Sequence, residues 1–232
     1  MESHEDTCYG SLPSTMSLHG QWTKLRSMNL CAGTASKDRL CLIEMQTGYR
    51  GRPPLGMRTG FVLRDGMSSK DSILAAAGDE EPGLHAFNPN GIVFFPSRDP
   101  DAGLKPDDED LDTEIMRAEP GLNGDIAFYF SIEVGNEGSR GDFAWRKVRG
   151  GKKKGFELVR VGKEEEPQVA FVKWVVAWPK LTHAFTLKLA EGQAEVLGGR
   201  WVLMVAVTAI RLYTLYVKGK TNKAVVNMGS EK

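Results

Sequence analysis

The stretch Trp201-Val-Leu-Met-Val-Ala-Val-Thr-Ala-Ile-Arg-Leu-Tyr-Thr-Leu-Tyr-Val217 carries a single charge, Arg211, and drawn on a helical wheel it leaves no polar face. A segment that is apolar all round must be enclosed by protein or by lipid. As a helix it would be about 25 Å long, short of the roughly 20 apolar residues that usually span a bilayer. A series of strand-like segments precedes it, and their apolar faces also need a core, so one element placed inside them meets both needs. The β-branched residues Val202, Val205, Val207, Thr208, Ile210, Thr214 and Val217 keep a strand pair open as an alternative, and a tail anchor is a third reading. The unbroken length and the Lys218-Gly219 stop favour a core helix over 201–217, with Trp201, Met204, Ala206, Thr208, Ile210 and Leu212 among its packing residues.

Upstream of this segment the texture is β. In Asp125-Ile-Ala-Phe-Tyr-Phe-Ser-Ile-Glu-Val134 the positions Ile126, Phe128, Phe130, Ile132 and Val134 are all apolar, a period of two that predicts a half-buried strand. Strands are also predicted at 40–45, 60–64, 72–77, 142–148, 156–161 and 168–178, with Phe185, Leu187 and Leu189 alternating after them. His85-Ala-Phe87 and Ile92-Val-Phe-Phe95 flank the turn Asn88-Pro-Asn-Gly91 and read as a hairpin. Short Gly-rich turns between successive strands favour an antiparallel meander. Closing it into a barrel would remove its exposed edges and enclose the helix.

Composition bounds the function. The 30 basic residues balance the 30 acidic ones, which argues against nucleic-acid binding by bulk charge. Cys8, Cys31 and Cys41 form no CxxC pair, so neither a disulfide framework nor a zinc site is expected and a reduced intracellular setting fits best. The start Met-Glu-Ser-His-Glu-Asp is acidic where a signal peptide is basic, and Glu2 stands where myristoylation needs glycine. Residues 1–36, rich in Ser, Thr, Gly and Met, are expected to form a loosely docked arm that is dispensable for folding, and 219–232 a polar tail. The domain proper is expected over 37–218.

Candidate sites are few. Between Asp99 and Glu114 the acids outnumber Lys105 and read as a solvated loop; a calcium loop fails because Gly103 stands where an oxygen ligand should and no glutamate closes it. His4, His19, His85 and His183 show no metal spacing, and GxSxG and P-loop patterns are lacking, so no catalytic residue, metal or cofactor is expected. Gly135-Asn-Glu-Gly138 and the Arg140-Gly-Asp142 that follows it read as an ordinary hairpin turn. Arg211, a lone guanidinium in an apolar helix, needs a partner, and a place near the barrel mouth beside water or a carboxylate would supply one. Arg146, Lys147, Arg149, Lys152, Lys153, Lys154 and Arg160 would gather at one end of a hairpin, a patch suited to an anionic lipid headgroup. The plainer alternative is a solvated turn, given Glu164, Glu165 and Glu166 nearby.

Several short motifs in order carry a resemblance: Gly48-Tyr, Pro54-Leu-Gly, Leu63-Arg-Asp-Gly66, Ile73-Leu-Ala-Ala-Ala-Gly78, Ile132-Glu-Val-Gly135, Phe143-Ala-Trp-Arg-Lys147, Phe156-Glu-Leu-Val-Arg160 and Trp201 followed by Thr208-Ala-Ile-Arg-Leu212. Over residues 38–218 the chain resembles fungal proteins with a tubby C-terminal-like domain, a shape shared with the plant LURP-one-related proteins and the phospholipid scramblases. The resemblance implies a mainly β fold, an antiparallel barrel of about twelve strands closed around a C-terminal hydrophobic helix. Tubby proteins bind phosphoinositides through basic side chains, so it also implies a non-enzymatic intracellular module. Such a module would be monomeric and cytoplasmic, with peripheral contact to an anionic phospholipid or a protein partner. Two alternatives accompany it: an auxiliary protein holding an apolar small molecule in fungal secondary metabolism, and a scramblase-like lipid-handling protein.

Overall fold

The alternation of Ile126, Phe128, Phe130, Ile132 and Val134 with smaller or polar residues does build a wall with one dry face. In the computed structural model, which describes residues 12–20, 27–82, 89–96, 111–121, 125–135, 138–148, 155–162, 165–175, 183–217 and 219, these five side chains point into a closed barrel and are buried. Its strands are β1 Thr15–Gly20, β2 Ser27–Ala32, β3 Arg39–Thr47, β4 Thr59–Arg64, β5 Ile73–Asp79 and β6 Gly91–Pro96. They continue with β7 Leu111–Pro120, β8 Ile126–Val134, β9 Ser139–Lys147, β10 Gly155–Arg160, β11 Gln168–Trp174 and β12 His183–Leu189. Each strand pairs antiparallel with its sequence neighbours, and β1 pairs with β12 to close the ring. Closure leaves the sheet no free edge.

The lumen is filled by a helix. After β12 a short helix α1, Gln193–Leu197, ends at Gly198, whose φ of 85° only glycine adopts without strain, and the chain turns into α2, Gly199–Val217. Trp201, Met204, Ala206, Thr208, Ile210 and Leu212 are all fully buried in the barrel. By length and composition α2 could cross a membrane, yet most of it lies inside the barrel. Burying each of its large aliphatic side chains contributes about 1.5–3 kcal/mol. Aromatic contacts seat both ends: Phe143 packs 5.9 Å from Trp201, and Trp174 lies 5.9 Å from both Tyr213 and Tyr216. Midway along, Trp145 Nε1 donates to Thr208 Oγ1 at 2.9 Å, and that hydroxyl donates to Met204 O at 2.7 Å. The helix is therefore fixed in rotation as well as in place.

The structure corrects two expectations. The arm over 1–36 is not loosely docked throughout, because Thr15–Gly20 and Ser27–Ala32 are strands of the barrel wall with Met16, Leu18 and Leu30 in the core. The domain therefore starts well before residue 37. These strands are short, and their polar positions are buried too: Ser17 Oγ and His19 Nε2 lie 3.0 Å apart, and His19 stacks on His183 at 4.5 Å. The expected loop up to Glu114 is likewise part strand, since β7 begins at Leu111. There Asp112 answers a buried arginine of α2, so an acid occupies a position where a strand pattern would show an apolar residue. Paired ladder contacts between β7 and β8 run from Arg117↔Tyr129 to Pro120↔Ile126. Beyond them Arg140 donates to Ser131 O at 2.9 Å and to Glu114 at 2.6 Å, so side chains stitch that part of the wall. The expected strand at His85-Ala-Phe87 lies outside the described residues, and the neighbour of β6 on that side is β5.

Candidate functional site

A meander of twelve strands sends its connections alternately to two ends, and the charges divide with them. Among the described residues, the connections at one end hold Arg50, Arg52 and Arg58 beside Glu80, Glu81 and Asp125. Those at the other end hold Lys37 and Lys70 against Asp38, Asp65, Asp71, Glu165, Glu166 and Glu191. The described connections are thus balanced at the end that bears Arg50, Arg52 and Arg58 and acidic at the other, so the first is the basic end relative to the second, and an asymmetry of that kind orients charged partners. The C-terminus of α2 emerges at the basic end, where Arg211 meets Asp79 at the end of β5.

The basic hairpin of the sequence reading is only partly assembled. Lys147 ends β9 at the basic end and is exposed. Arg146 is held in an ion pair by Glu166, whose hydrogen bond raises the Arg146 pKa while its own falls, so this cation is already answered. Arg160 pairs across the ladder with Phe143, whereas Lys147 pairs with Phe156. Four residues of strand, about 13 Å along β10 and about 10 Å along the barrel axis, separate the two positions. Arg160 therefore belongs to the acidic end, a correction that follows from strand direction: a residue late in β10 has travelled away from the β9–β10 turn. Arg149, Lys152, Lys153 and Lys154 lie outside the described residues.

Arg160 borders a solvent-open cleft of about 390 Å³ at the acidic end, lined also by Val134, Ser139, Glu195, Val196 and Leu197. Its mixed lining places a cation and a carboxylate beside apolar walls. No group of three or more His, Cys, Asp and Glu able to hold a metal occurs among the described residues. Burial pushes the Cys41 thiol up to about 12, so this cysteine is inert at neutral pH.

Arg211 has the partner that its burial demands. Its Nη2 donates to Asp79 Oδ1 at 2.5 Å and to Asn90 O at 3.2 Å, while Nε and Nη1 have no hydrogen-bond partner. Burial pulls the guanidinium below its ordinary pKa and the Asp79 charge opposes that pull; arginine in a protein stays charged.

Sequence reasoning passed over one group at the basic end. Arg50, Arg52 and Arg58 lie in the β3–β4 connection with no acid between residues 48 and 58, and the only signal was that composition. The chain matches no family model, no curated protein and no solved structure.

Proposed function

We propose that this protein is a non-catalytic binding module, of the tubby C-terminal-like kind, whose basic end engages an anionic membrane lipid. The observation that carries the reading is that Arg50, Arg52, Arg58 and Lys147 share one end of the barrel while the described connections at the other end are acidic. Cations gathered at one end of a chain with no net charge confer orientation rather than general stickiness. Each Lys or Arg near an anionic surface contributes about 1 kcal/mol, while acids at the far end, about 25 Å or two to three Debye lengths away at physiological salt, subtract little. A rigid helix-filled barrel suits such a role because it presents its connections without rearranging its core.

The test is sedimentation of the full chain with vesicles of phosphatidylcholine alone or with added phosphatidylserine or polyphosphoinositide. Binding to both anionic sets that fades as salt rises from 50 to 500 mM is expected. Changing Lys152, Lys153 and Lys154 together to Ala should weaken it on the order of a hundredfold. Indifference of the wild type to every vesicle at low salt would sink the reading and leave a protein partner as the better one. The cleft beside Arg160 is where a small-molecule reading would be tested, and its charged lining favours a polar guest over an apolar one.

A further inference from the structure

The connection from Gly48 to Arg58 folds as a strap against the outside of the barrel. Leu55 is its anchor, fully buried against Val62 and Ala76, whose neighbours Phe61, Leu63, Ala75 and Ala77 face the core. Arg58 fastens one leg, with Nε donating to Glu80 O at 3.3 Å and its guanidinium 6.0 Å from the centre of the Phe94 ring. Gly56 N donates to Arg52 O at 2.8 Å, and Arg58 N to Leu55 O at 3.1 Å. The two legs touch where Gly48, at φ 80°, passes Met57; a Cβ there would come within 2.5 Å of Met57 O. The strap is thus preorganised, and binding through it would cost little ordering entropy.

Its outward side is unusual in content. Tyr49 is 74% exposed and Met57 63%, one on each leg, while Arg50 and Arg52 are exposed between them. Neither of these arginines makes an ion pair or a side-chain hydrogen bond among the described residues. A single exposed apolar residue needs no explanation. Two of them, with unanswered guanidinium groups between and no acid in the segment, match the chemistry of a bilayer interface: arginine forks onto phosphate while tyrosine and methionine enter the zone of glycerol and upper acyl chain.

We infer that this strap is the part of the protein that touches an anionic bilayer, with Arg50 and Arg52 on lipid phosphates and Tyr49 and Met57 inserted at the interface. The inference rests on the reading that the basic end faces a membrane, and it names the contact. Exposed side chains on a strap read charge density rather than headgroup stereochemistry. Phosphatidylserine and phosphatidylinositol 4,5-bisphosphate vesicles should therefore bind alike when matched for surface charge.

Two double variants of the full chain test it by vesicle sedimentation. R50A/R52A should lower binding to phosphatidylserine vesicles about thirtyfold. Y49A/M57A should lower it about tenfold or more, and a difference from wild type should persist at 500 mM salt because apolar insertion is not screened. Both should melt with the wild-type protein, since all four side chains are exposed. If the wild type binds and both variants match it, the strap is overturned while the membrane reading survives with the basic turn. A wild type that sediments with no vesicle overturns both. Binding confined to the phosphoinositide vesicles at matched charge would replace surface contact by headgroup recognition.

Discussion

The two ends of the central helix each hold an arginine, in different surroundings. At the N-terminal end Arg200 donates to Asp112 at 2.8 Å, lies 3.9 Å from Glu133 and sits 5.0 Å over the Phe95 ring; Asp112 is 43% exposed. At the C-terminal end Arg211 is 1% exposed, and Asp79, its partner at 2.5 Å, is 10% exposed. Interaction energy scales inversely with local dielectric, and so does the penalty for leaving one member of a pair alone. The same residue type in one helix therefore serves as a replaceable rim tie at one end and as an obligatory partner at the other.

Arg211→Met gives the largest expected effect. It removes the guanidinium that answers the Asp79 carboxylate in a nearly closed site and should cost about 3–5 kcal/mol in urea denaturation. Adding Asp79→Asn should recover part of that loss, because a buried carboxylate deprived of its guanidinium is the main cost. Arg200→Met should cost about 1–2 kcal/mol, since the water beside Asp112 takes over the solvation of its carboxylate. Equal losses at the two arginines would break the comparison.

Proton sensitivity gives the smallest effect. His183 opens β12 at the Arg211 end, where it stacks on His19, and its Nε2 lies 3.1 Å from both Phe185 O and Thr186 Oγ1. Burial holds its pKa below the ordinary 6.5 despite the Phe185 carbonyl. The unfolded chain therefore takes up this proton at higher pH than the folded one, so stability is full above pH 6.5 and declines as pH falls through it. Thermal melts between pH 7.5 and 5 should show the decline, and His183→Gln should flatten it. An unchanged slope in the variant would assign the acid sensitivity elsewhere.

What could be read from sequence was whatever declares itself by period. Apolar character on every side announces α2, and five alternating residues announce β8, because burial leaves the same mark at each turn or pleat. β1, β2 and β7 were hidden because their inward polar residues answer partners far along the chain: buried His19 against His183, and half-exposed Asp112 against the buried Arg200. Charges are harder still to place. Arg146 and Lys147 are neighbours, yet Glu166 answers the first, a pairing that depends on how the β10–β11 connection lies over the wall. Arg160 was misplaced because composition carries no direction, whereas a strand does. The strap could be seen as three arginines without an acid; that Leu55 pins it and leaves Tyr49 outside needs the fold.

Closure by β1 against β12 has a consequence for how the chain reaches this state. The ladder that joins Thr15 to Lys188 must bring together residues more than a hundred positions apart, and the entropy of closing so long a loop is spent before the ring returns any contact. The other eleven ladders join consecutive strands, so this single long-range closure is the slow step among them. During synthesis at 5–20 residues per second, Met16 and Leu18 wait on the order of ten seconds for Phe185 and Leu187, and α2, which fills the lumen, emerges after them. Until then ten or more strands expose an apolar face and an open edge. Refolding from denaturant should accordingly lose yield steeply with concentration, as chains pair with one another before α2 can occupy the barrel.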